Sequence, residues 1–153
     1  MSKYTIDNQE LKKELTEYVN SCKFKRKQNG KGVWRWKIEK RGFVSDRLGQ
    51  MIKTIAEGLA TKGNWRNYTW KQDFISYGIL ICLQYMHNFD PNNEKNNAHG
   101  YINMICSQAF LQYVQKEKLH SKTKQELYEK KDDIQEWDQS IDYRSLKEDI
   151  KEK

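Results

Sequence analysis

Apolar residues recur at helical spacing over four stretches of the chain and at a spacing of two over a fifth. Asp7 or Asn8 predicts an N-cap with Glu10 in the first turn. Leu11, Leu15, Val19 and Cys22 then share one face, which predicts a helix ending between Ser21 and Phe24. Ser45 predicts the cap of a second helix with a stripe of Leu48, Met51, Ile52, Ile55, Ala56 and Leu59; Gly63 predicts its end, and Gly58 a close approach. Thr69-Trp70-Lys71-Gln72 has the capping-box pattern and opens a third helix that runs to about His87. That helix is apolar nearly all round, through Phe74, Ile75, Ile79, Leu80, Ile81, Cys82, Leu83 and Met86. A small domain can hardly bury every side of it, so part of it is expected to be an interface. Asp90-Pro91 and the surrounding asparagines predict a loop, and Asn97 caps a fourth helix over 98–118. Tyr101, Ile102, Ile105, Ala109 and Val114 are its candidates for the core, and Lys116 and Lys118 suit the negative end of its dipole.

Residues 23–43 have another character. Nine bases (Lys23, Lys25, Arg26, Lys27, Lys31, Arg35, Lys37, Lys40 and Arg41) stand against one acid, Glu39. Trp34, Trp36 and Ile38 alternate with Arg35, Lys37 and Glu39, the period of a short strand or extended arm. Cations interleaved with rings suit a nucleic-acid strand, since cations meet phosphates and rings stack on bases. The same pattern fits a loop whose tryptophans pack on the body. Beyond Ser121 the apolar residues thin out to Leu127, Ile134, Trp137, Ile141, Leu146 and Ile150, as in a solvated helix or a partly disordered tail.

Composition narrows the class. One proline and eight glycines in 153 residues disfavour a many-turned β fold, and abundant Lys, Glu, Leu, Gln and Ile favour helix. The expected fold is all-α: a compact helical domain over 1–120 with a basic N-terminal arm at about 23–43, and a charged C-terminal tail over 121–153. From Glu126 to Lys153 ten acids face six bases, a net of −4, while the 22 bases and 11 acids of residues 1–125 give +11. A basic body with an acidic tail suits a protein that meets nucleic acid through the body; solubility is the plainer explanation. Three scattered cysteines, Cys22, Cys82 and Cys106, have no metal-ligand spacing; Cys82 and Cys106 sit among apolar neighbours, as buried thiols do, and the odd count suggests a reducing cytosol. The N-terminal residues carry no apolar signal segment, and no run reaches the roughly 18 apolar residues of a membrane span. Phosphate-loop, dinucleotide and zinc-protease motifs are missing, and His87, His99 and His120 stand alone. The expectation is a non-enzyme without cofactor or metal.

Several short stretches, in order and in register, carry a family resemblance. Asp73-Phe74-Ile75-Ser76-Tyr77-Gly78, the closing Asn88-Phe89, Tyr101 and Gln108-Ala109 coincide with the second conserved region of bacterial sigma factors. Ile55-Ala56-Glu57-Gly58-Leu59, Trp70-Lys71-Gln72, His87-Asn88-Phe89-Asp90 and the helix from Ala98 to Lys118 more closely resemble the late-promoter sigma factors of T-even-type bacteriophages. The likeness covers about residues 45–120.

The resemblance implies a promoter-specificity subunit working in the cytoplasm of an infected bacterium. It implies a contact with the largest-subunit coiled coil of host RNA polymerase core through Asp73, Ser76, Tyr77, Ile79 and Leu83. Asp73 is the retained acid, whereas Ser76, Tyr77 and Ile79 depart from the family's polar residues. It implies recognition and melting of an AT-rich −10-like promoter element through the fourth helix. There Tyr101 stands where a ring stacks on an unpaired adenine, and Gln108 where a duplex base pair is recognised. Met104 and Ile105 replace the family's tryptophan wedge, and Gln112 stands where a base occurs. Lys116 and Lys118 are the phosphate contacts this implies on the helix; Lys25, Arg26 and Lys27 of the arm complete the expected DNA-binding set. A core role for Tyr101 is the plainer alternative. A phage coactivator and the sliding clamp are the further partners implied, the latter at Ile141-Asp142-Tyr143 to Leu146 and Asp149-Ile150. The rival readings are a basic nucleic-acid-binding or polymerase-modulating helical protein without promoter specificity, and a protein-interaction adaptor that needs no DNA.

Overall fold

The computed structural model describes residues 5–140, with side chains as far as Lys131. Its described elements are α1 (Asn8–Ser21), β1 (Lys23–Gln28), β2 (Trp34–Lys40), α2 (Asp46–Ala60), α3 (Lys71–Tyr85), a 3-10 turn (Met86–Asn88) and α4 (Ala98–Ser140). The all-α expectation is therefore corrected: the fold is mixed, four helices with a two-stranded antiparallel hairpin. Alternation revealed β2, but β1 is Lys-Phe-Lys-Arg-Lys-Gln, without one β-branched residue. What makes it a strand is its partner, because cross-strand pairs rather than intrinsic preference stabilise a sheet.

The hairpin turns through Gly30-Lys31-Gly32. Asn29 closes it: its N–H donates to the Val33 carbonyl at 2.9 Å, and its Oδ1 accepts from the N–H groups of Lys31 and Val33. Gly32 has φ of 77°, the left-handed conformation a three-residue hairpin loop needs at its end. The strands return to the helices at Gly42, whose N–H donates to Cys22 Sγ at 3.2 Å.

The chain divides into two compact units at Tyr113/Val114, a boundary that lies within α4. In the first unit α2 packs on α1 and on α3. Asp7 caps α1 by accepting from the Gln9 N–H, and Ser45 caps α2 by accepting from the Leu48 N–H at 3.1 Å. Ser45 also donates to Glu14 at 2.6 Å, tying the start of α2 to α1. The predicted stripe of α2 is buried throughout. On α1 the third buried position is Tyr18 rather than Val19, which is half-buried.

The capping box at Thr69 does not form. The cap position of α3 is Trp70, without a side-chain cap bond, and residues 61–70 form turns instead. Their rings do the work. Trp65 lies edge-on to Phe110 at 5.5 Å and tilted against Phe74 at 5.8 Å, while Tyr68 meets Phe74 edge-on at 6.3 Å. Phe74 and Phe110 are fully buried, 4.7 Å between centroids. Aromatic pairs at these separations contribute about 0.5–1.5 kcal/mol beyond their burial. The fourth helix, expected over 98–118, instead continues to Ser140, so that the charged segment beyond Ser121 is helical that far, one of its two expected readings. It holds no Gly or Pro after Gly100 and has i,i+4 contacts Lys122–Glu126 and Gln125–Glu129.

Helix α3 approaches α4 where Gly78 faces Phe110. A Cβ at Gly78 would lie 2.5 Å from Phe110 Cε1, inside contact distance of a ring held on all sides. Gly78→Ala is expected to destabilise the first unit by about 1–3 kcal/mol through overpacking. Combining it with Phe110→Leu should give a loss well below the sum of the two single variants, measured by urea unfolding. Additive losses would mean that the two positions do not share one space.

Candidate functional site

Two neighbouring surfaces on α3 and α4 gather most of the residues expected to act. The first is the outer face of α3. Asp73, Ser76, Leu80 and Leu83 are spaced three, four and three residues apart and so share that face. Asp73 and Ser76 are exposed, Leu83 and the adjacent Ile79 are half-buried, and Leu80 is 50% exposed. The inner arc of Phe74, Ile75, Gly78 and Cys82 is buried. Leu80 with the half-buried Ile79 and Leu83 thus leaves a small apolar patch beside the exposed Asp73 and Ser76. Leu80 was visible in the sequence as one more apolar residue, but only the burial of its neighbours shows that it faces outward.

The second surface is a groove of about 510 Å³ between α3 and α4. From α4 it is lined by Tyr101, Met104, Ile105, Gln108 and Gln112, the members of the expected DNA-binding set that lie on α4 before Val114. Across from them stand Tyr77, Ile81, Gln84 and Tyr85 of α3. Met104 is 49% exposed and Gln108 and Gln112 are exposed, whereas Ile105 is buried and supplies floor rather than a contact edge. Tyr77 was expected on the polymerase-facing surface. It lines this groove, its ring 5.7 Å from that of Tyr113. Gln84 and Tyr85 escaped the sequence reading because nothing in a nearly all-apolar helix tells which polar residue meets which neighbour.

Tyr101 is held in place. Its hydroxyl donates to the Tyr85 carbonyl at 3.1 Å, and its ring packs against Phe89 with centroids 5.3 Å apart. Half-burial pushes the phenol above its ordinary pKa, with a smaller push from Cys82. It is therefore neutral and a donor at any physiological pH. Beneath it, Cys82 and Cys106 are buried, Sγ to Sγ 3.3 Å, and Cys82 Sγ also donates to the Ile102 carbonyl at 3.9 Å. Their mutual hydrogen bond and burial hold the Cys82 thiol protonated. Among the described residues no cation lines the groove. Its chemistry is rings, amides and an apolar floor.

The bases lie elsewhere. Lys25, Arg26 and Lys27 are exposed on β1, and Lys116 and Lys118 are exposed beyond Tyr113, in the second unit. The expected clamp-contact residues Ile141 to Ile150 lie outside the described residues. Among the described residues no group of three or more His, Cys, Asp or Glu is placed to hold a metal ion. No described helix is long and apolar enough to cross a membrane. No protein-family model matches the chain, and no curated protein sequence matches it.

The hydroxyl bond of Tyr101 has a measurable consequence. Tyr101→Phe is expected to lower unfolding free energy by about 1 kcal/mol, the usual net contribution of one hydrogen bond. Tyr101→Ala is expected to lower it by roughly 2–4 kcal/mol, the range for truncating a large packed side chain. Denaturant titration of the three proteins checks both, and an unchanged phenylalanine variant would remove the Tyr85 contact.

Proposed function

We propose that this protein is a sigma-like transcription initiation factor that binds host RNA polymerase core and directs it to phage late promoters. The observation that carries the reading is the groove in which Tyr101, Met104 and Gln108 of α4 meet Tyr77 and Tyr85 of α3, beside the exposed outer face of α3. The resemblance to the second conserved region of sigma factors supplies the roles.

In this reading the outer face of α3 meets the coiled coil of the largest core subunit. Asp73 pairs with a basic residue there, and Leu80 and Leu83 bury against it. An unpaired base of an AT-rich −10-like element enters the groove. The Tyr101 ring, fixed by Phe89 and the Tyr85 carbonyl, offers a stacking surface that needs no reordering when the base arrives. Gln108 offers both a donor and an acceptor to a base edge, and Met104 covers the last pair of the duplex. Lys25, Arg26, Lys27, Lys116 and Lys118 supply phosphate contacts. The coactivator and sliding clamp belong to this reading as further partners, and the cytoplasm of an infected bacterium as its location.

The absence of any cation from the groove lining favours one rival, a nucleic-acid-binding helical protein whose affinity comes from charge elsewhere and which has no promoter preference. Association with core polymerase separates the two. Asp73→Lys and Leu80→Glu each change an exposed side chain. Leu80→Glu is expected to leave unfolding unchanged within about 0.5 kcal/mol. Asp73→Lys is expected to lower unfolding free energy by about 0.5–2 kcal/mol without unfolding the domain, because it reverses the charge in the first turn of α3. Each should weaken binding to purified core at least tenfold. Core binding that survives both changes in the folded protein would remove α3 as the contact surface and with it the sigma-like reading.

A further inference from the structure

The hairpin has two chemically different faces. Directly opposed residues of an antiparallel pair project to the same side. The register pairs Phe24 with Ile38, Arg26 with Trp36 and Gln28 with Trp34 on one side, and Lys25 with Lys37 and Lys27 with Arg35 on the other. One face is thus largely aromatic and the other basic.

The aromatic face is not turned into the core. Trp34 is 58% and Trp36 68% exposed, and every residue of β1 is exposed. Its base alone is anchored: Phe24 sits 6.3 Å from the His87 ring, and Ile38 is half-buried. The tryptophans therefore do not pack on the helices. Large rings left in water on a strand that need not carry them call for a ligand, and charge says which. The segment 23–43 holds nine bases and one acid, and that acid, Glu39, is engaged by Lys25 at 3.1 Å. Arg26 lies over the Trp36 ring at 5.6 Å, so a cation stands beside a stacking surface.

We infer that the hairpin is a separate binding site for single-stranded nucleic acid, with bases stacked on Trp34 and Trp36, a phosphate met by Arg26 on the same face, and the strand drawn in by the field of the basic face behind it. Side chains two apart on a strand stand about 6.8 Å from each other. That is twice the roughly 3.4 Å base spacing of a stacked strand, so the two rings suit bases of a stretched, unpaired strand. A duplex keeps its bases stacked on one another and offers these rings nothing but its outside. The site needs neither the α3–α4 groove nor polymerase, and it is tested on the free chain.

The full-length protein is titrated with a labelled 16-nucleotide thymidine oligomer and with a duplex of the same length, over a series of salt concentrations. The single strand is expected to bind more tightly. Trp34→Ala and Trp36→Ala should each weaken it by about fivefold to a hundredfold, with the salt slope unchanged. Arg26→Ala, on the face of the rings, should instead lower the slope by about 0.7, and Lys27→Ala with Lys37→Ala, on the opposite face, by less. Unchanged thermal melting of the tryptophan variants is expected from their exposure and keeps the comparison free of folding. Duplex binding as tight as single-strand binding, or tryptophan variants that bind normally, would overturn the inference and leave the hairpin an electrostatic arm.

Discussion

The contact on which the rest of the first unit depends is Phe110 lying against Gly78. Without a side chain at Gly78 the Phe110 ring can occupy the surface of α3, tilted against Phe74 and closed off by Trp65. One helix supplies the gap and the other fills it, so the two cannot slide or rotate without opening a cavity or a clash. Further toward Tyr85 the pair is held by small groups, the Cys82 and Cys106 thiols. Beside this contact the side chains leave room for the groove that Tyr101, Gln108 and Tyr77 line. Tight packing and the open site are thus two parts of one helix pair. Because α3 is apolar nearly all round, burying one arc inside the unit leaves another, centred on Leu80, exposed.

Charge is distributed in a complementary way. The groove is neutral, and the cations of the first unit are concentrated on the hairpin between α1 and α2. In the proposed reading, attraction that is long-ranged and indifferent to sequence is thereby separated from contacts that distinguish one base from another. The former depends on salt and brings nucleic acid to the surface; the latter depends on fixed rings and amides. A hairpin with both faces in solvent is only marginally stable by itself. It is kept in place by its own turn at Asn29 and by the Gly42–Cys22 and Phe24–His87 contacts at its base.

Where the sequence was informative, a period or a cap was at stake. The stripe of α2, its Ser45 cap and the Asn97 cap of α4, which accepts from the Gly100 N–H at 3.1 Å, follow from local rules. Local rules failed where a distant partner decided the outcome. Lys23–Gln28 became a strand because Trp34–Lys40 pairs with it. Thr69 lost its cap role in a segment where Trp65, Tyr68 and Trp70 are drawn into an aromatic cluster. At the site, the resemblance to sigma factors, rather than spacing, singled out Tyr101, Met104, Gln108 and Gln112 on α4. It could not show that Tyr77 turns toward that face, that Ile105 sinks beneath it, or that Gln84 and Tyr85 complete the opposite wall, since those facts belong to the packing of α3 on α4.

The most direct measurement is initiation itself. Purified core RNA polymerase, with and without this protein, is given a supercoiled AT-rich template, and transcript starts are mapped at nucleotide resolution together with the reactivity of unpaired thymines. The expected result is a small set of discrete start sites that require the protein, each preceded by a melted AT-rich segment. Association with core but no new start site, or starts scattered as with core alone, would contradict the sigma-like account.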